Sequence, residues 1–221
     1  MTSDIETPEL CERYERLYTG ALTDVLDDHD IVDQTLHPDI APLTQDMRTA
    51  GVAYPVVGRP NRAVDDEENI RNILEMFGDA PEDSVLMYDT NDDRAAHIGE
   101  LSVTSLKARG CRGAVVDGGA RDVAYILERD FPVFARYNTP ADAVPRWEIL
   151  DWGVDAVVGG IEVSPGDVVV GDVDGVVVVP EAVREEILLE AEELVDTENE
   201  VREAVRDGTL PINAYDEFGE F

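Results

Sequence analysis

Lysine is nearly missing from this chain. Lys107 is the only one, and with it the basic residues number 17 against 50 acidic ones, a formal net charge of −33 over 221 residues. Such a balance leaves no basic patch to neutralise phosphates, which argues against a nucleic-acid partner. Cysteine is scarce too. Cys11 and Cys111 stand far apart with no C-x-x-C and no ligand spacing, so neither a disulfide framework nor a zinc site is expected. No run of 18 apolar residues occurs, so no membrane span is expected. The opening Met1-Thr2-Ser3-Asp4-Ile5-Glu6 has neither a basic n-region nor an apolar h-region, so no signal peptide is expected and a cytoplasmic chain is the default. The phosphate loop G-x-x-x-x-G-K and the nucleophile elbow G-x-S-x-G are absent, and Gly118-Gly119 lacks the dinucleotide pattern G-x-G-x-x-G. His29, His37 and His97 share no metal-ligand spacing.

The 43% hydrophobic content and clear periodic segments argue against disorder despite the charge. A single domain with a real core is expected at this length. The acids are spread along the chain, with clusters at Asp27-Asp28 and Asp65-Asp66-Glu67-Glu68. That distribution fits a cytosolic protein of a high-salt organism, where ions screen the self-repulsion.

Short helices and strands alternate, and a strand-rich block follows. Thr7-Pro8 opens a helix carrying Leu10, Tyr14, Leu17 and Tyr18, broken at Thr19-Gly20 before a second short one over Ala21–Leu26. Strands are expected at Gly51–Val57, Val85–Tyr88, Ala114–Asp117, Phe131–Phe134, Asp155–Val158, Val168–Val170 and Val176–Val179. Asp172-Val173-Asp174-Gly175 reads as a hairpin turn between the last two. Helices are expected around Ile70–Phe77, from Gly99 to Gly110, and over Glu181–Asp207, whose stripe is Ile187, Ala191, Leu194, Val201 and Val205. Trp147 and Trp152 read as core or interface residues.

Three constellations carry chemistry. Gly99-Glu100-Leu101-Ser102 opens a helix and leaves backbone N–H groups free for a carboxylate or phosphate, although an ordinary helix start has the same look. Gly110 to Asp122 reads as a buried strand, a glycine turn and an Arg121-Asp122 pair opening a helix. An arginine there faces the positive end of the helix dipole, which suits a ligand-binding role, and an aspartate can hold a metal. A plain surface ion pair is the other reading. Glu198 fills a gap in the apolar stripe of the last helix, as a residue at an interface, at a site or at the solvated edge of the stripe.

Glu100, twenty intervening residues and Arg121-Asp122 form a recognisable spacing. With Leu17–Asp24, Phe131–Phe134, Pro165-Gly166-Asp167, Asp174-Gly175-Val176 and Glu198-Asn199-Glu200, the chain resembles the RraA-like proteins. These include class II 4-hydroxy-4-methyl-2-oxoglutarate/4-carboxy-4-hydroxy-2-oxoadipate aldolases, and the regulator of ribonuclease activity shares their fold. The resemblance implies an α/β fold, a layered β/β/α sandwich of swivelling-domain type with a long C-terminal helix. It implies one domain over 1–221, with 181–207 packing on a neighbouring subunit of a homotrimer or homohexamer. It implies a lyase that cleaves a 4-hydroxy-2-oxo acid to pyruvate through an enolate and can decarboxylate oxaloacetate.

By the same resemblance Asp122 holds Mg2+ or Mn2+, Arg121 binds the keto oxygen, and the backbone at Gly99, Leu101 and Ser102 takes the substrate carboxylate. Glu100 orients water in the proton relay, and Glu198, or else Glu200, reaches in from a neighbouring subunit. Regulator-type members typically lack the Arg-Asp pair, so its presence tilts toward catalysis over a protein-interaction module. A methyltransferase label used for such sequences is disfavoured, because no glycine-rich S-adenosylmethionine loop is present. Two departures leave the substrate open: Tyr125 stands where many aldolases carry an acid, and Glu100 where aspartate is common.

Overall fold

Alternation along the strands decides which face of the sheet each residue serves. The computed structural model describes residues 5–220; Phe221 and Met1–Asp4, read above for a targeting signal, lie outside the described residues. The strands are β1 (Ala41–Pro42), β2 (Thr49–Pro60), β3 (Ser84–Asp89), β4 (Ala96–Ile98), β5 (Gly113–Ala120), β6 (Val133–Asn138), β7 (Trp147–Trp152), β8 (Ala156–Val158), β9 (Ile161–Val163), β10 (Val168–Gly171) and β11 (Val176–Val179). The helices are α1 (Thr7–Tyr14), α2 (Thr19–Asp28), α3 (Asp66–Asp79), α4 (Glu100–Ala108), α5 (Val123–Leu127), α6 (Arg184–Arg206) and α7 (Pro211–Phe218).

Among the described residues the main sheet runs β1-β6-β5-β3-β2-β10-β11, with β4 added beside β5 and β7 beside β2. Its centre, β2-β3-β5-β6, is parallel, and β10, β11 and β7 pair antiparallel. Tyr54, Val56, Leu86, Tyr88, Ala114 and Val116 face a core closed by Met76 and Phe77 of α3, Val103 and Leu106 of α4 and Ile126 of α5. Their neighbours Ala53, Val85, Met87 and Val115 face the other way, against the β8–β9 hairpin and Leu36 and Ile40. This is the layered β/β/α architecture expected from the sequence. On the flank, Val168, Val170, Val177 and Val179 pack with α1, α2 and Ile187, Leu188 and Ala191 of α6. The early turns of α6 are therefore bound within their own chain. No helix among the described residues is long and apolar enough to cross a membrane.

Four sequence expectations are corrected. Thr19-Gly20 starts α2 instead of breaking a helix, because the buried Asp172 carboxylate accepts from Thr19 N at 2.9 Å and Thr19 Oγ1 at 2.8 Å. An anion at that end favours helix initiation. The same Asp172 lies in the β10–β11 hairpin read from the sequence, its N–H donating to Gly175 O at 3.0 Å. Gly118-Gly119 is not a turn: both residues lie inside β5. A Cβ on Gly118 would sit 2.7 Å from His97 Nδ1, and one on Gly119 2.5 Å from Ala95 O, so the glycines permit close approach of the neighbouring chain. Glu181–Val183 is a 3-10 turn that precedes α6. Arg121 lies outside a helix, since Asp122 occupies the N-cap position of α5. The sequence reading omitted β1, β4, β7, β9 and α7. Trp147 of β7 is buried, its ring crossing β2 at Gly58, where a Cβ would lie 1.8 Å from Cζ2.

Candidate active site

The last residues of β4 and β5 bring the site together. Ile98 is registered against Ala120, and the Arg121 N–H donates to Ile98 O at 3.0 Å. The next residue on the β4 side is Gly99, the N-cap of α4, and the next on the β5 side is Asp122. A Cβ on Gly99 would stand 3.0 Å from Asp122 Oδ2 and 3.2 Å from Arg121 Cγ. Glycine therefore lets the two strand ends converge. Asp122 adopts the left-handed conformation (φ 56°, ψ 31°), and its carbonyl accepts from Tyr125 N at 2.9 Å and Ile126 N at 3.1 Å. Aspartate is among the few residues that tolerate this region.

Arg121 lies between two carboxylates. Its Nε is 3.6 Å from Asp122 Oδ2 and its Nη1 is 3.3 Å from Asp142 Oδ2. The three side chains share the mouth of a cavity of about 190 Å3 with Gly99, Leu101 and Ser102. Val103 N donates to Gly99 O at 3.0 Å, which makes Leu101 and Ser102 first-turn residues whose N–H groups have no intrahelical acceptor. The positive end of α4 is thus next to Arg121. The Asp122 carboxylate offers the oxygen donors that Mg2+ or Mn2+ take, ions that retain much of their water.

The apolar part of the lining is different in character. Ile73 and Phe77 of α3, Tyr88, Val144 and Trp147 form it, and the exposed Ile70 and Leu74 of α3 continue it to the surface. His97 is also there. Its side chain is fully buried, it packs edge-on against Trp147 with ring centroids 5.0 Å apart, and neither ring nitrogen has a hydrogen-bond partner. Burial pushes its pKa down to about 4, with Asp92, 3.4 Å away, opposing the shift. The imidazole is therefore neutral at pH 7.

Three of the predicted residues do not line this cavity. Glu100 does not line the cavity: Thr104 Oγ1 donates to its Oε1 at 2.9 Å and Arg129 Nε at 2.9 Å, which hold the carboxyl below its usual range. Glu198 accepts from Tyr18 Oη and lies 3.6 Å from Arg202 Nη2, on α6. Glu200 is exposed. Asp142 was missed by sequence reasoning, since one acid among fifty offers no contrast.

A more voluminous cleft, about 830 Å3, lies around Asp89, Asp117, Arg136 and Arg146. It is open, and its Arg136 is paired with Asp117. A third group, His29, Glu186 and Glu190, converges between α2 and α6 at the surface, where His29 Nε2 is 2.8 Å from Glu190 Oε2.

Comparison with known proteins bears on this geometry. The profile of the RraA-like family, Aldolase/RraA, matches residues 9–178. A protein of Halalkalibacterium halodurans provisionally named 4-hydroxy-4-methyl-2-oxoglutarate aldolase is 30% identical over 204 residues, 92% of this chain and 91% of that one. A crystal structure described under novel cellulases from gut-associated microbes is 34% identical, with a TM-score of 0.85 and 90% of each chain covered. Streptomyces coelicolor RraAS2, described as an unusual member of the RNase ES inhibitor RraA family, is 26% identical with a TM-score of 0.78, covering 88% of this chain and 96% of that one.

Proposed function

Since this chain belongs to the RraA-like family, we propose that it is a divalent-metal-dependent lyase that cleaves a 4-hydroxy-2-oxo acid and releases pyruvate. The observation that carries this reading is the placement of Arg121 and Asp122 together against Gly99 at the cavity mouth. In retro-aldol cleavage the C3–C4 electron pair moves onto the pyruvate unit and places negative charge on the keto oxygen. Arg121 is the group that meets this oxygen, and its charge counts for more as charge develops. The free N–H groups of Leu101 and Ser102 hold the substrate carboxylate. Asp122 holds the cation, and Asp142 holds the far end of the Arg121 guanidinium. When bound, Mg2+ or Mn2+ supplies Lewis-acid polarisation of the 2-oxo acid. Glu100 keeps Arg129 against the start of α4, a positioning role away from the reacting atoms. The same enolate makes oxaloacetate a second substrate to be tested.

Leu101 and Tyr125 near this mouth are 78% and 60% exposed. Apolar side chains left in water in this way favour a covering partner. A second and third copy of the chain are our proposed occupants, with Glu198 reaching the site from a neighbour. A cavity of about 190 Å3 suits a small acid and leaves no room for a polysaccharide, so the cellulase description of one relative is not extended to this chain.

The test is pyruvate release from 4-hydroxy-2-oxo acids and oxaloacetate, with Mn2+ or Mg2+ and again with chelator. Chelator-sensitive turnover supports the reading. Tight binding of a ribonuclease with no turnover on any 2-oxo acid would replace it with a protein-interaction module.

A further inference from the structure

We infer that the cavity selects, among 4-hydroxy-2-oxo acids, those whose C4 substituent is apolar and uncharged. The inference rests on the lyase reading above and adds the class of leaving fragment. A substrate anchored by its 2-oxo acid end at Arg121, Leu101 and Ser102 must direct its C4 end at what remains of the cavity. That remainder is the α3 wall, Ile70, Ile73, Leu74 and Phe77, faced by Val144 and Trp147.

Charge points the same way. Among the described residues that line the cavity, Arg121 is the only cation, and it is already flanked by Asp122 and Asp142. His97 is the one other basic group, and it is buried with neither ring nitrogen hydrogen-bonded and with Asp92 3.4 Å from Nε2. A second carboxylate on the substrate would enter an apolar wall with no cation to meet it. Burying such a charge unpaired is strongly unfavourable. An alkyl or aryl group in the same place gains from burial. Neutral His97 can hydrogen-bond an alcohol or an aldehyde oxygen, which an uncharged leaving fragment carries at C4.

The reaction balances without a further reagent. The C4 hydroxyl loses its proton, its oxygen forms the C4=O double bond, and the C3–C4 bond breaks. The electron pair of that bond becomes the pyruvate enolate, and a proton returns to C3. The products are pyruvate and an uncharged aldehyde or ketone.

The experiment compares 4-hydroxy-2-oxohexanoate with 4-hydroxy-2-oxoglutarate on the full chain with Mn2+, reading pyruvate by a coupled dehydrogenase. The two substrates differ only in the C4 substituent. The expected result is a kcat/KM at least about tenfold higher for the hexanoate, the size of effect a pocket contact of this kind confers. Leu74→Arg, at a half-exposed position that tolerates a long side chain, should reduce that ratio by about tenfold or reverse it, through KM. Equal rates, or a preference for the dicarboxylate by the unmodified chain, would overturn the inference and leave the lyase reading standing. Pyruvate from neither substrate, with none from oxaloacetate, would overturn both.

Discussion

Asp142 Oδ2 lies 3.3 Å from Arg121 Nη1, and no sequence motif joins the two residues. The contact fixes the end of the guanidinium away from Asp122, so that Nε and Nη1 are held by different carboxylates. The pair is more than a third exposed, and such ion pairs contribute about 0–1 kcal/mol to stability. Asp142→Asn is therefore expected to leave Tm within a few degrees and to lower kcat for pyruvate release by about tenfold, with KM changing less. Orientation of a catalytic group accounts for effects of that size. A variant with unchanged kcat would remove Asp142 from the site.

Asp122 combines an unusual backbone with a carboxylate, and two substitutions separate them. Asn tolerates the left-handed region nearly as well as Asp, so Asp122→Asn should fold with little change in Tm while losing divalent-ion binding and more than about a hundredfold of the lyase activity. Asp122→Ala should lose the same activity and about 1 kcal/mol of stability as well, because alanine is strained at φ 56°. Calorimetric titration with Mn2+, alongside thermal unfolding, distinguishes the two effects. Full activity in the Asn variant would show that the assigned metal role is wrong.

Much of this arrangement was legible in the sequence, and the failures have physical causes. The Arg121-Asp122 pair and the α4 start at Gly99 were located because glycine and charge at strand ends are local signals. The valine strands β10 and β11 and their Asp172–Gly175 turn were read from composition alone. Gly118-Gly119 misled, since two glycines in a row suggest a turn. Their use here is steric, making room for His97 and Ala95, and that depends on strands the sequence does not mark. β4 has only three residues, and β7 was hidden because its alternation is led by a tryptophan that fills the space over Gly58. Glu100 carries the expected spacing, and Arg129 and Thr104 bind its Oε1. A partner one helix away is not visible as spacing.

The net charge of −33 makes stability dependent on salt. Raising ionic strength from 0.1 M to 1 M shortens the Debye length from about 10 Å to about 3 Å, which screens repulsion between neighbouring surface acids. Tm is expected to climb by at least several degrees over that range in KCl and to level off once the nearest pairs are screened. A flat Tm between 0.1 M and 3 M KCl would show that the acids are spaced or paired well enough not to repel.

His97 gives the protein a specific acid weakness. In an unfolded chain its pKa is near 6.5, and in the fold burial lowers it to about 4. Between those values the unfolded state binds a proton that the native state does not. Stability therefore rises with pH through this window, is complete above about pH 6.5, and is lost as pH falls toward 4, below which this residue causes no further loss. A shift of this size corresponds to at most about 3 kcal/mol. The many carboxylates titrate over part of the same range, so the difference between the native chain and His97→Phe is the useful measurement. The phenyl ring preserves the edge contact with Trp147 and cannot titrate. Urea unfolding at pH 7.5, 6, 5 and 4.5 should show the native chain losing ground on the variant as pH drops, most steeply near pH 5. The imidazole NMR signals of His97 should stay those of the neutral form at pH 5.5, where His29, whose pKa is raised by its hydrogen bond to Glu190, is protonated. Parallel stability curves, or a His97 that titrates near 6.5, would mean that the imidazole is solvated and that the inner wall of the cavity is open to water.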